Sequence, residues 1–329
     1  MNAISVIGAG AWGTALAQML AANGTPVTLW AREAGLADAI NNGEGNQVYL
    51  PGATLAPTIR ATADLAEAGA ADLALLVTPA QHLGNVLAAM PAIPRDLVLC
   101  AKGIEAGSLR LLHQVAHDHA PAAEIAVLSG PTFAHEVVAG LPTAVTLACG
   151  GGEAQWARLS PAIARLTFRP YYTDDVAGAE VGGAIKNVLA IACGVVDGLG
   201  LGLNARAALI SRGYAEMLRF GTALGGRAET LAGLCGLGDL VLTCSSTASR
   251  NFSLGKAMGE GQAPAALLTD RRTVAEGAHT APVLAELAAR RGIAMPICDA
   301  VHRLLQGAPA RAIADELLAR PLAAEGLPG

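Results

Sequence analysis

Residues 4–24, ISVIGAGAWGTALAQMLAANG, restrict the folds open to this chain more than any other stretch. A short apolar run ends at Ile7, Gly8-Ala-Gly10-Ala-Trp-Gly13 follows, and a helical pattern begins at once. A lone GxGxxG carries little information, but between a strand and a helix it marks the first turn of a dinucleotide-binding βαβ unit. Gly8 permits the tight turn, Gly10 lets a pyrophosphate approach the backbone, and Gly13 lets helix and strand pack closely. The helix N-terminus then faces the phosphates with unpaired amides. NAD-selective sites place an acidic residue about 20 positions further on, against the ribose 2′-hydroxyl. Here that strand ends VTLWARE, with Arg32 at the place of the acid and Glu33 next to it. A guanidinium suits a 2′-phosphate, an exposed arginine could equally open a helix, and both NAD and NADP stay compatible with the pair.

The pattern that follows is a parallel-sheet pattern. Apolar runs at 3–7, 26–30, 72–78, 97–101, 124–128, 143–148 and 168–172 read as strands, and amphipathic stretches such as 108–119 and 153–166 lie between them. Beyond about residue 175 only helical spacing remains, over 180–197, 205–224, 274–291, 297–306 and 309–319. The expected fold is a doubly wound α/β Rossmann-type domain over 1–178 followed by an all-helical substrate domain over 179–329, and 329 residues suit two cores. The Pro/Gly-rich segment 42–57 is expected as a surface insertion. A net charge of −5 with no basic run offers no footprint for nucleic acid or an anionic membrane. Six cysteines without CxxC spacing suggest neither zinc nor disulfides, so a reduced, cytoplasmic setting with no metal is expected. "MNAISVIGAG" lacks the basic region of an export signal.

Ligands of a doubly wound sheet sit beyond the carboxyl ends of its strands, and two polar motifs fall there. LVLCAKGIE puts Lys102 just past one strand, and IAVLSGPTFAHE puts Ser129, Gly130 and Thr132 past the next. Thr132 is also placed to N-cap the following helix, and Lys102 alone could be a surface lysine. In the helical half, GLCGLGDLVLTCSSTASRN brings Asp239, Thr243, Arg250 and Asn251 into a short span, where a structural turn is the simpler alternative. GGAIKNVLAIACGVVDGLGLG plants Lys186 and Asn187 in an apolar run broken too often for the ~20 residues of a membrane span. One turn before Lys186, Gly182 and Gly183 would leave room on its face for a ligand. His113, His117 and His119 read as a solvated helix face, Asp174-Asp175 as a helix-capping pair, and Cys193 as packing.

These motifs, in this order, closely resemble the NAD(P)-dependent glycerol-3-phosphate dehydrogenases of the bacterial type. The likeness runs from GAGAWGTALA through LPG (50–52), AKGIE, SGPTFAHE, GGAIKNVLAI, NARAALISRG, GLGDLVLTC, SRN and VAEG to MPI (295–297), nearly the full chain. It implies a Rossmann domain and a helical domain with the site between them, and NAD or NADP as cofactor. It also implies a small phosphorylated substrate and a part in glycerophospholipid precursor synthesis. Position by position it puts the proton-acceptor lysine on Lys186 and a lysine shared by cofactor and substrate on Lys102. Asp239 joins them in the catalytic group. Further substrate contacts fall on Gly130, Thr132, Ser249, Arg250 and Asn251, and cofactor contacts on Ala11, Trp12, Arg32, Ala134, Arg250, Val274 and Glu276. Many members carry serine where this chain has Ala11, a change that removes a hydroxyl and keeps the backbone donors. A homodimer stays open.

The chemistry suits those residue types. A ketone reduced by hydride needs a proton at its oxygen, and a lysine desolvated in an apolar helix can give one and take it back. Asp239 would raise the pKa of such a lysine and Lys102 would lower it. Two competing functions are a related dehydrogenase of hydroxy acids or acyl-thioesters, and a nucleotide sensor without turnover; the latter has little use for two lysines at a cleft.

Overall fold

The computed structural model describes residues 3–269 and 275–321. Eight strands form one sheet: β1 (Ile4–Ile7), β2 (Val27–Trp30), β3 (Ile59–Thr62), β4 (Leu73–Leu76), β5 (Asp96–Leu99), β6 (Glu124–Ser129), β7 (Thr143–Cys149) and β8 (Phe168–Thr173). Their order is β3-β2-β1-β4-β5-β6-β7-β8, parallel throughout except for the β6–β7 pair. β1 pairs with both β2 and β4, Ile4 standing opposite Val27 on one side and Leu73 on the other. The chain therefore winds outward from β1 in both directions, which opens a crevice at the carboxyl ends of β1 and β4.

Burial explains the near-continuous apolar strands. One face of the sheet presents Val6, Leu29, Leu75, Val98 and Leu128 to the Ala11–Ala21 helix and its neighbours. The other presents Ile7, Leu76, Leu99 and Val127 to Leu83, Leu87 and Leu112. Strands covered on both faces read as apolar runs and not as alternation.

β8 leads directly into the Val176–Gly198 helix, whose first turn is capped by Asp175 accepting from Gly178 N at 2.8 Å. The second Asp175 oxygen takes Arg227 N at 2.7 Å, and Asp174 pairs with the Arg227 guanidinium. Every residue from Gly178 to Val195 is buried, as befits a helix that is apolar all round and lies inside the protein. Contrary to the expectation from its charged interruptions, its length and composition would suffice for a bilayer, but its faces are covered by its own fold. Val181, Ile185, Val188 and Ile191 are fully buried, each worth roughly 1.5–3 kcal/mol. The Gly202–Ala223, Arg250–Gly259, Glu276–Arg291 and Pro296–Leu305 helices pack around it, with no strand after Thr173 among the described residues. The Arg250–Gly259 helix lies closest, because glycines stand at the crossing on both sides. A Cβ on Gly194 would lie 2.0 Å from Phe252 O, and one on Gly255 would lie 1.9 Å from Ile191 O.

Three expectations need correction. β3 (IRAT) is absent from the strands read in the sequence; it is a four-residue edge strand whose Arg60 faces solvent. Residues 42–57 are not a mere surface insertion: Asn46 and Leu50 are buried, and Ala56 N donates to Gln18 Oε1 at 2.7 Å. His117 and His119 are exposed as expected, but half-buried His113 faces the central helix. There its Nδ1 lies 2.6 Å from Glu180 Oε2, and its backbone N–H donates to Glu180 Oε1 at 2.8 Å.

The close helix crossing yields a prediction. Gly194→Ala should lower stability by about 1–3 kcal/mol or more, since the methyl can be housed only by parting two helices. Gly35→Ala, in a helix and with nothing near the added methyl, should be neutral or slightly stabilising. Thermal denaturation of the two variants checks both.

Candidate active site

The glycine-rich turn has the geometry of an anion cradle. Gly8 holds φ +122, and a Cβ there would press on Val77 O at 3.0 Å. A Cβ on Gly13 would lie 1.8 Å from Gly8 O, so only glycine lets the first helix leave the strand at this angle. A Cβ on Gly10 would meet nothing within 4 Å and would project into open space. The Ala11–Ala21 helix starts there without a side-chain cap, so its first amides are free for an anion. Ala11, Trp12 and Ala134 pack against the same layer of core beside the turn, and the buried Trp12 Nε1 has no partner. At the end of β2, exposed Arg32 forks onto Glu33 Oε1 through Nε at 3.0 Å and Nη2 at 2.7 Å. That carboxylate holds the Arg32 guanidinium above its ordinary pKa.

The second centre is built on one carboxylate. Asp239, fully buried, opens the Asp239–Cys244 helix directly after a wide π turn over Leu234–Gly238. Its Oδ2 receives Lys102 Nζ at 2.7 Å and its Oδ1 receives Lys186 Nζ at 2.7 Å. Lys186 also donates to Thr243 Oγ1 at 3.0 Å, and Lys102 reaches Gly130 O at 3.3 Å. Thr243 Oγ1 in turn donates to Asp239 Oδ1 at 3.2 Å. Lys102 arrives from the end of β5, Lys186 from the central helix and Gly130 from the end of β6, so three elements remote in sequence meet at the sheet's carboxyl edge.

The two lysines share a partner yet shift in opposite directions. Burial pulls Lys102 down, but the Asp239 charge and hydrogen bond outweigh it and the ammonium ends above its ordinary value. For Lys186 desolvation dominates, the Lys102 charge adds to it, and Asp239 offsets only part, leaving Lys186 at about 8. Both side chains are nearly buried, 12% exposed for Lys102 and 7% for Lys186, and they differ in their further neighbours: Lys102 also feels the Glu276 charge, which raises it, and Lys186 feels the Lys102 charge, which lowers it. Burial raises Asp239, and the paired ammonium groups more than reverse this to hold it below the usual carboxylate range.

A second relay lies alongside. Asn251 Nδ2 donates to Asn187 Oδ1 at 3.0 Å, and Asn251 Oδ1 accepts from Gly277 N at 2.9 Å. Ser249 is the N-cap of the Arg250–Gly259 helix, its hydroxyl accepting from Phe252 N at 3.3 Å. Arg250 begins that helix exposed. Glu276 begins the Glu276–Arg291 helix; desolvation pushes its carboxyl up, while Arg250, Lys102 and Lys186 pull the other way. Val274 lies outside the described residues.

Two local expectations fail here. Thr132 does not cap the Ala134–Val138 helix, whose N-cap is Phe133; the Thr132 hydroxyl is turned instead to its own turn and donates to Gly130 O at 3.3 Å. Gly182 and Gly183 leave no room for a ligand. A Cβ on Gly182 would lie 2.5 Å from Cys235 O, and one on Gly183 would lie 3.0 Å from Ser129 Oγ and 3.2 Å from Lys102 Cγ. Their bareness admits the π turn and the Lys102 stem, which sequence spacing within one helix does not reveal.

Two family models match this chain: NAD-dependent glycerol-3-phosphate dehydrogenase N-terminus over residues 3–155, and the C-terminus of the same family over 175–314. Glycerol-3-phosphate dehydrogenase [NAD(P)+] of Erythrobacter litoralis is 67% identical over 322 residues, 98% of this chain and 97% of that protein. Its counterpart in Novosphingobium aromaticivorans is 68% identical over 323 residues, 98% of each chain. Among solved structures, the glycerol-3-phosphate dehydrogenase of Coxiella burnetii superposes with a TM-score of 0.92 at 40% identity, covering 97% of this chain and 99% of its own.

Proposed function

The chain belongs to the NAD-dependent glycerol-3-phosphate dehydrogenase family, and from that premise we propose how its residues divide the work. It is an NAD(P)-dependent oxidoreductase that interconverts sn-glycerol 3-phosphate and dihydroxyacetone phosphate, a step that provides a glycerophospholipid precursor. When bound, the nicotinamide cofactor supplies or takes up the hydride.

Lys186 carries the proton. In reduction its ammonium gives a proton to the ketone oxygen; in oxidation the neutral amine takes one from the hydroxyl. A value of about 8 makes both forms accessible near neutral pH. Lys102, held charged by Asp239, keeps a positive centre beside the reacting oxygen and the phosphate. Asp239 positions both lysines. Gly130 and Thr132 border the substrate on the sheet side, and Ser249, Arg250 and Asn251 on the helical side. The Arg250 guanidinium suits a phosphate, whose binding orients the reacting carbon. Gly8, Gly10, Ala11, Trp12 and Gly13 hold the pyrophosphate with Ala134 beside them; Arg32 meets the adenosine ribose, and Lys102, Arg250 and Glu276 meet the nicotinamide end. The single observation that carries this proposal is the fully buried carboxylate shared at 2.7 Å by two lysines from different elements. Residues 1–178 form its dinucleotide-binding half and 179–329 its catalytic half. A cytoplasmic setting, in keeping with six buried free thiols, completes the proposal.

Lys186→Ala, folded normally, should lose at least ~100-fold in turnover. In wild type, reduction needs the protonated lysine, so kcat/KM for dihydroxyacetone phosphate should fall as pH rises past about 8, while that for glycerol 3-phosphate oxidation should rise through the same range. An Arg32→Ala variant should lose affinity for NADPH selectively. Equal weakening with NADH, in paired initial-rate measurements, would count against a 2′-phosphate contact.

A further inference from the structure

Asn46 is completely buried, although it lies in the irregular Pro/Gly-rich segment between the second helix and β3. All of its side-chain polar atoms are engaged. Nδ2 donates to Ala9 O at 2.8 Å and to Thr14 Oγ1 at 2.8 Å, and Oδ1 accepts from Tyr49 N at 3.0 Å. The Tyr49 contact orients the amide, since a backbone N–H can pair only with its oxygen. Ala9 O belongs to the middle of the glycine-rich turn and receives a second, longer bond from Thr14 Oγ1 at 3.5 Å.

The consequence follows from peptide geometry. Across a planar trans peptide the carbonyl of residue 9 and the N–H of residue 10 point in opposite directions, and no described peptide is cis. Fixing Ala9 O toward the buried amide therefore turns the Gly10 N–H away from that amide. Gly10 stands at the uncapped start of the first helix, where even an added Cβ would meet nothing within 4 Å.

We propose that Asn46 is a positioning residue for cofactor binding, whose amide locks the Ala9–Gly10 peptide so that the Gly10 N–H faces the pyrophosphate. The proposal rests on the assignment of the glycine-rich turn to the cofactor. It makes the 42–57 segment part of the cofactor site, acting through the turn without touching the ligand. A dinucleotide of either kind, NAD or NADP, depends on it equally, because both carry the pyrophosphate.

The test is cofactor binding, read by the fluorescence of NADH and NADPH on Asn46→Ala and Asn46→Asp, with ADP-ribose and adenosine as competitors. The Kd for NADH, NADPH and ADP-ribose should rise about tenfold, the loss of roughly one net hydrogen bond, with Asn46→Asp the weaker binder because its carboxylate repels Ala9 O. Adenosine, which lacks the pyrophosphate, should bind as to wild type. Unchanged binding of NADH, or equal weakening of adenosine and ADP-ribose, overturns the proposal. Should the Asn46 variants not fold, Thr14→Val decides, because it removes the other donor to Ala9 O; it should show the same selectivity at smaller size, and unselective or absent loss contradicts it. Gly10→Val separates the assumption beneath: wild-type NADH binding by that variant would refute the assignment of the turn, whereas its loss beside an unaffected Asn46→Ala would refute only the role of Asn46.

Discussion

Two buried lysines divide one buried carboxylate, and the rest of the structure is arranged around that contact. An ammonium taken out of water costs several kcal/mol, and attraction to a partner repays this only when geometry and additional hydrogen bonds are good. Asp239 meets both conditions by giving each oxygen to one lysine, while Thr243 Oγ1 accepts a further bond from Lys186 and Gly130 O one from Lys102. The sharing leaves the group with more positive than negative charge, and the deeper lysine bears the imbalance as a lowered pKa. A site built in this way has no slack: the π turn that presents Asp239 presses on Gly182, and the Lys102 stem runs against Gly183. The all-buried central helix lowers the Lys186 pKa, because it excludes the water that would stabilise the charged ammonium.

Much of this was legible in the residues. The strand-turn-helix at Gly8 to Gly13 specified the doubly wound sheet, and a lysine in an apolar helix marked the second centre before any geometry was available. Both signals are local, carried by spacing within one element. What escaped was non-local. The bareness of Gly182 and Gly183 reads as an opening within one helix, and only tertiary packing shows that another backbone fills it. Asn46 sits in a stretch whose Gly and Pro content signals surface, yet one amide satisfied on every atom carries it inside. His113 has the spacing of an exposed helix face, and its partner Glu180 lies 67 residues away. β3 is too short and too polar at Arg60 to announce itself.

The two centres also differ in how they are held. The glycine-rich turn is made of backbone, so its precision depends on turn geometry and on side chains, Asn46 and Thr14, that bond Ala9 O. The lysine centre is made of side chains, so its precision depends on helices packed too closely to shift, the central helix and the Arg250–Gly259 helix above all. Gly277 N ties the Asn251–Asn187 relay to the lysine centre, because it bonds Asn251 while its neighbour Glu276 feels both lysines.

The central claim is that Lys186 is tuned by competition with Lys102 for Asp239. The most direct measurement is the titration of Lys186, followed by NMR of its labelled side chain, in wild type and in Lys102→Met. Wild type should titrate at about 8, and removing the rival charge should move the midpoint upward, as Asp239 becomes an undivided partner. A Lys186 that titrates at the ordinary lysine value in wild type, or one that does not respond to the loss of Lys102, would contradict the account.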